Sequence, residues 1–325
     1  MTTRRHKGLP KANPISICKS VLLSDLSTID MARDATQRVL AMETDFRTRI
    51  ENHVNSLPAE DAVFSKFNTN PFVLMFHSMR KHYRHIGEIE NDILPAKVFS
   101  SMETSAGRMV ETIVLPVYGW ETVPSEMHTP NSALDGRVKK GDTLYLATLK
   151  SGPRCLNDEM SENLADAILQ NYEHWAMDAG VQKIDFTYGV LYGTQKQSNK
   201  KDWHILRNIE EKLHGGRMIL SPNKRWNLEF EKSGIDVSVS IRIGVDLWNF
   251  FGGGAQTFVE MASAVIRACI APSDTQPVNH QFTIADLPQI ISLDTVPPRF
   301  NVSLLQRSQL EWLFFFARHF CDSIE

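Results

Sequence analysis

The segment from Asn131 to Tyr192 constrains the fold more than any other part of the chain. It reads as a β-hairpin, a helix and a further strand in unbroken succession. Asp135 ends the first arm, Val138-Lys139-Lys140-Gly141-Asp142 makes the turn, and Thr143 to Lys150 (TLYLATLK) is the second arm. Ser151-Gly152-Pro153-Arg154 then breaks the chain. Asn157 or Asp158 opens a helix that ends at Gly180 and places Met160, Leu164, Ile168, Tyr172, Trp175 and Ala176 on one face. Lys183 to Tyr192 (KIDFTYGVLY) is apolar enough for the interior of a sheet. A strand, a helix and a second strand in that order need a crossover and a parallel pairing, whereas the hairpin is antiparallel. The expected fold class is therefore α/β, with a mixed central sheet flanked by helices.

Side chains alternate along a strand, so Thr148 and Lys150 share one face while Leu149 points into the core. An acid on one strand, facing a polar residue and a lysine two apart on its neighbour, suits metal-dependent cleavage of a phosphodiester. Asp135 would hold a divalent cation and the Leu149 carbonyl would add a ligand. Lys150 would orient or deprotonate the attacking water and offset phosphate charge. The same pattern also describes an ordinary solvated hairpin.

The flanking sequence reads as helical additions. Residues 1 to 14 are basic and carry Gly8, Pro10 and Pro14, as expected of a flexible arm. Asp30 to Leu57 shows Met31, Ala35, Val39, Met42, Phe46, Ile50 and Val54 at helical spacing, with Asp30 placed to cap the start. Asn70 to Pro95 is expected to be mainly helical, followed by a strand from Met109 to Val117. Arg80 to His85, with Arg84, is a basic and aromatic cluster able to lie along phosphates or to form a solvated face. Gly193 to Arg207 is expected as a polar loop leaving the carboxyl end of a strand, where ligands gather in open α/β sheets. Its Lys196, Asn199, Lys200 and Lys201, with Arg154 nearby, are candidate DNA contacts. Arg217, Lys224 and Arg225 near Trp226 repeat that composition more weakly. Ile235 to Ile243 alternates as a strand, Gln256 to Ile270 and Leu304 to Phe320 read as helices, and Gly252-Gly253-Gly254 lacks the spacing of a nucleotide-binding loop.

Composition sets outer bounds. The 325 residues suit one large domain: an arm over 1–14 and a unit over 15–325, with a catalytic core near 70–255 and additions over 25–60 and 256–325. A formal net charge of −3 gives no global basic signature, so a nucleic-acid surface has to come from local clusters. Cys18, Cys155, Cys269 and Cys321 are scattered, which argues against structural zinc and fits a reducing cytoplasm. No signal peptide or membrane span is expected.

Several segments, in order, resemble the PD-(D/E)XK core of type II restriction endonucleases, in the subgroup that cuts GC-rich or interrupted sites. They are Asn70-Pro71-Phe72 with Phe76-His77-Ser78, Ile93-Leu94-Pro95 with Val98-Phe99, Leu149-Lys150-Ser151-Gly152, Tyr188 to Gly193, and Lys201 to Arg207. The resemblance implies a metal-binding aspartate at Asp135 and a catalytic lysine at Lys150. Thr148 falls on the position that is acidic in the general motif. An acid from the helix before the hairpin often joins the metal shell in this superfamily, which makes Glu90 the first candidate and Glu88 the second. Also implied are Mg²⁺, double-stranded DNA as substrate, 5′-phosphate and 3′-hydroxyl ends, and a two-fold homodimer, with no nucleotide cofactor. The rival expectations are a structure-selective repair nuclease of the same superfamily, a DNA-binding module without catalysis, and an α/β protein unrelated to DNA.

Overall fold

A computed structural model describes residues 11–57, 71–124, 129–213, 217–219, 226–273 and 281–325. Most of the basic arm, and the side chains of Arg217, Lys224 and Arg225, lie outside the described residues. In chain order the elements are β1 (Ser16–Ile17), α1 (Lys19–Met31), α2 (Arg33–Asn55), α3 (Pro71–Lys81), α4 (Glu90–Val117), β2 (Glu121–Thr122), β3 (Gly136–Lys140), β4 (Thr143–Lys150), α5 (Asp158–Ala179), β5 (Lys183–Val190), α6 (Lys201–Lys212), β6 (Arg217–Ile219), β7 (Asn227–Lys232), β8 (Ile235–Ile243), α7 (Val245–Gly252), α8 (Thr257–Cys269), α9 (Leu287–Ile291), α10 (Arg307–Arg318) and β9 (Ser323–Ile324).

The main sheet runs β2-β3-β4-β5-β8-β7-β6. Its centre, β4, β5 and β8, is parallel; β3 and β2 on one side and β7 and β6 on the other are antiparallel. The mixed sheet is thus the expected one. The hairpin turns at Gly141, whose φ of +61° is a left-handed conformation open to glycine at no steric cost. The crossover helix α5 begins at Asn157, whose side chain accepts from the Met160 N–H at 2.8 Å, and ends at Gly180 in the left-handed region.

Each face of the sheet has its own core. On one, Leu146, Phe186, Tyr188 and Val239 pack with Ile168 and Trp175 of α5 and Ile205 and Ile209 of α6. On the other, Ala147 and Leu149 pack with α1, α2, α7, α8, α10 and the end of α4. The amino- and carboxyl-terminal additions therefore share one core, and β1 pairs in parallel with β9 to join them.

Four elements differ from expectation. Residues 30–57 are not one helix: Ala32 is extended (φ −96°, ψ 107°) between α1 and α2. The Asp30 carboxylate caps nothing there and instead accepts from the Ser303 and Leu304 N–H groups at 2.9 and 3.1 Å. Met109 to Val117 is the carboxyl-terminal part of α4, not a strand; its β-branched residues suggest a strand, but Ile113, Val114 and Leu115 bury against the helical layer. Tertiary packing overrides a weak local preference here. Gly193 to Arg207 is a loop only to Lys200; Ile205, Leu206 and Ile209 bury one side of α6. The last helix is shorter than expected, starting at Arg307 behind a capping box between Gln306 and Gln309.

Candidate active site

The turn before β3 sets Asp135 at the carboxyl edge of the parallel strands. Asp135 donates its N–H to the Ala147 carbonyl at 2.8 Å, and its carboxylate Oδ2 accepts from the Leu149 N–H at 2.6 Å. The preceding 3-10 turn, Pro130–Ala133, is fixed from two sides. The Trp175 indole of α5 donates to the Pro130 carbonyl at 3.2 Å, and the Thr148 hydroxyl donates to the Ala133 carbonyl. Thr148 is buried and spends its hydroxyl on that turn, so it positions the backbone leading into Asp135.

Lys150 is the last residue of β4, and its carbonyl accepts from the Leu191 N–H at 2.9 Å on the β5 side. A strand residue points its N–H and C=O to the same side. The Leu149 N–H meets Asp135 on the β3 side, so the Leu149 carbonyl faces that side too.

Sequence reasoning missed the third charged group, Glu111 of α4. Gly107, one turn earlier on the same helix, lies where a Cβ would stand 3.6 Å from the Ser151 Cβ. This brings α4 against the end of β4. Burial first and the Asp135 charge second push the Glu111 carboxyl up to about 7, against the opposing charges of Lys150 and Arg108. Burial also raises Asp135, against the Leu149 N–H and the Lys150 charge. Two half-buried carboxylates and one ammonium thus share one electrostatic neighbourhood. The readable signal was the position of Glu111 as the sole charge in the apolar run Met109 to Tyr118.

The Glu90 side chain lies outside the described residues. Its backbone starts α4, 21 positions before Glu111 and about 30 Å along the helix at 1.5 Å per residue. Glu88 accepts from the Arg84 N–H at 3.0 Å in the same distant region, where Arg84 is exposed.

The loop after β5 opens on the same edge as Asp135 and Lys150, and most of its polar groups hold the loop itself. Arg154 Nε donates to the Gln197 carbonyl at 3.2 Å, and Asn199 donates to the Leu156 carbonyl at 2.9 Å. Lys200 donates to the Gln195 carbonyl and lies 5.3 Å from the Trp226 ring centroid. Lys201 pairs with Asp158 at 2.5 Å. Lys196 is exposed beside them. Gly152, Pro153, Arg154, Cys155, Tyr192 and Gln197 line an open cavity of about 400 Å³ at this edge.

Among the described residues no three His, Cys, Asp or Glu side chains gather as a metal cluster, and no helix is long and apolar enough to cross a membrane. No curated protein matches the chain. Residues 41–212 match the family profile of the type II restriction endonuclease EcoO109I. The match spans Glu111, Asp135, Lys150 and the loop that opens beside them. It covers more than half of the chain, which therefore belongs to that family of site-specific deoxyribonucleases.

Proposed function

We propose that this enzyme hydrolyses double-stranded DNA at a specific palindromic or interrupted palindromic site, using Mg²⁺ held by Asp135 and Glu111. The observation that carries the reading is the convergence of Glu111, Asp135 and Lys150 at the carboxyl edge of the sheet. Burial raises the proton affinity of both carboxyls, and at Glu111 crowding by the Asp135 charge raises it too. A divalent cation would relieve that crowding. The donor set also fits: Mg²⁺ takes hard oxygen ligands and is commonly bound by one or two carboxylates while keeping several waters. Asp135, Glu111 and the Leu149 carbonyl supply such oxygens.

When bound, the ion lowers the pKa of a water and stabilises charge on the phosphate. Asp135 is held for this role by the Leu149 N–H, which fixes the direction of its carboxylate. Lys150, whose charge acts on both acids, offsets the charge of the scissile phosphate. Thr148 takes no part in the chemistry under this reading. It locks the Ala133 carbonyl and so the turn that presents Asp135. Water attacks phosphorus in line, the bond to the 3′ oxygen breaks, and 5′-phosphate and 3′-hydroxyl ends remain. Lys196, Arg154 and the 193–201 loop lie where the duplex backbone would pass.

The test is a digest of long plasmid and phage DNA with and without Mg²⁺. Discrete metal-dependent bands are expected, with ends that ligate after simple re-annealing. A smear would point to a structure-selective or unspecific nuclease. Intact DNA across many unmethylated substrates would overturn the reading.

A further inference from the structure

Tyr192 leaves the end of β5 in an environment unlike that of its neighbours. Val190 and Leu191 are buried, whereas Tyr192 is 47% exposed. The Leu191 N–H still bonds the Lys150 carbonyl, so Tyr192 emerges beside the end of β4. Its phenol lies across Gly152. A Cβ at that glycine would stand 2.8 Å from Tyr192 Oη and 3.1 Å from its Cζ. Gly152 is not in the left-handed region, so what calls for a glycine there is room for the phenol. Together they wall the open cavity at this edge, and its polar groups sort by role. The acceptors already hold protein donors: Gln197 Oε1 takes the Thr194 N–H at 3.0 Å, the Gln197 carbonyl takes Arg154 Nε at 3.2 Å, and Cys155 Sγ takes the Gly152 N–H at 3.3 Å. The donors are left over. Among the described residues nothing bonds the Tyr192 hydroxyl, and Arg154 commits Nε alone, with both Nη groups to spare. No carboxylate lines the cavity.

We propose that this cavity seats a phosphodiester of the cut strand next to the scissile one, with Tyr192 Oη and the Arg154 Nη groups as its donors. The inference rests on the reading that Asp135, Glu111 and Lys150 cut DNA at this edge. A phosphate offers acceptors only and carries charge, which matches free donors, occupied acceptors and the absence of an acid. A base edge fits less well, because most bases present donors as well as acceptors and the cavity keeps no uncommitted side-chain acceptor for them. The spacing also fits. Gly152 follows Lys150 by two residues, a reach of at most ~7 Å. Phosphates of one strand recur at about 3.4 Å along the duplex axis, so the cavity stands about one or two phosphates from the one that Lys150 faces. Such a seat carries no sequence information. It fixes the register of the strand, so that the scissile bond and not its neighbour meets Lys150.

The test measures binding of the full chain, in Ca²⁺, to a duplex carrying the site that the digest maps. An uncharged methylphosphonate replaces one phosphate of the cut strand at a time. In wild type, the replacement about one or two steps from the cut should weaken binding about tenfold, the scale of hydrogen bonds to a charged group. Tyr192→Phe, which removes a single oxygen, should weaken binding of the unmodified duplex several-fold, and that one methylphosphonate should then cost correspondingly less. Gly152→Ala, which has only the phenol to displace, should act in the same way. A structural role for Tyr192 would leave the methylphosphonate penalties unchanged at every position and would overturn the seat, as would a Tyr192→Phe chain that binds like wild type. A penalty that instead follows the identity of a flanking base pair would give the cavity to a base and overturn it too. Discrete cleavage with unchanged penalties sinks the seat and spares the nuclease reading. If wild type cuts no DNA, that reading fails separately, and an arbitrary duplex at low salt decides the seat: weaker binding by Tyr192→Phe keeps it, and equal binding ends it.

Discussion

Helix α4 is one element with two environments. From Asp92 to Val110 no side chain is buried, and Phe99 faces solvent. From Ile113 to Leu115 every side chain is buried, in the core that also holds α2 and α8. Glu111 sits at the boundary, close enough to the core to be desolvated and close enough to the sheet edge to feel Asp135 and Lys150. The contrast teaches where charge can do chemistry. An acid on the exposed half, such as Glu103, is open to solvent. The same carboxylate two turns later becomes a group whose charge state is contested at neutral pH.

The largest effects should come from breaking the site at that boundary. Asp135→Ala and Lys150→Ala are each expected to reduce single-turnover cleavage by roughly 10³-fold or more, the scale of losing a preorganised electrostatic contact to the reacting group. Glu111→Gln should lie in the same range, while Glu90→Gln keeps activity within about threefold of wild type, given its place at the far end of α4. Gel-shift affinity in Ca²⁺ should survive all four changes. A Glu111→Gln enzyme with wild-type rates would remove Glu111 from the site, and a dead Glu90→Gln would return the search to the start of α4.

The contrast along α4 also shows what the sequence could and could not reveal. The hairpin, the crossover helix with its Asn157 cap and Gly180 stop, and the parallel pairing of β4 with β5 were legible because periodicity, capping and turn chemistry agree there. They place Asp135 and Lys150 side by side at one edge. Glu111 was not legible because Met109 to Val117 is rich in β-branched residues, and only contact with α2 and the sheet makes it helical. Read as a strand, that run gave no reason to aim an acid at the hairpin. The break at Ala32 is of the same kind: the register of apolar residues runs straight through it, and the link from Asp30 to Ser303 is separated by 273 residues in sequence. The loop over 193–201 was legible as polar and basic, but not as a loop that spends Asn199, Lys200 and Arg154 on its own carbonyls.

A second prediction sharpens the electrostatic half of the comparison. The folded-state carboxyl of Glu111 is raised from 4.5 to about 7, so the folded chain binds an extra proton between those values. Its contribution to stability is full below about pH 4.5 and is lost as pH rises through about 7. Glu111→Gln should therefore stabilise the metal-free enzyme at pH 8 by about 1 kcal/mol, the partial exposure of the carboxylate screening the rest, and should give no gain at pH 4.5. Mg²⁺ should raise the wild-type Tm at pH 8 and leave that of Glu111→Gln nearly unchanged. At limiting Mg²⁺, wild-type cleavage should climb with pH through an inflection near 7 and level above it, the inflection moving down as the ion saturates. Thermal scans and rates over pH 5 to 9 check all three. A variant that gains nothing at pH 8 would mean that Glu111 is not held against its neighbours.

The smallest effects should separate two lysines of the loop beside the site. Lys196 is exposed, whereas Lys200 is half-buried, donates to the Gln195 carbonyl and lies over the Trp226 ring. Burial lowers the Lys200 pKa, as expected of a cation serving a fold more than a phosphate. Lys196→Ala should therefore weaken DNA binding a few-fold, uniformly across sequences, and reduce the slope of log affinity against log salt by about one, with Tm unchanged. Lys200→Ala should do the opposite. It leaves a carbonyl without its donor and removes a cation–π contact, for about 1–2 kcal/mol of stability, and changes the salt slope little. Fluorescence anisotropy across 50–300 mM salt, paired with thermal melts, distinguishes the two. Equal salt slopes for both variants would place Lys200 on the phosphates as well and would make the loop a binding surface throughout.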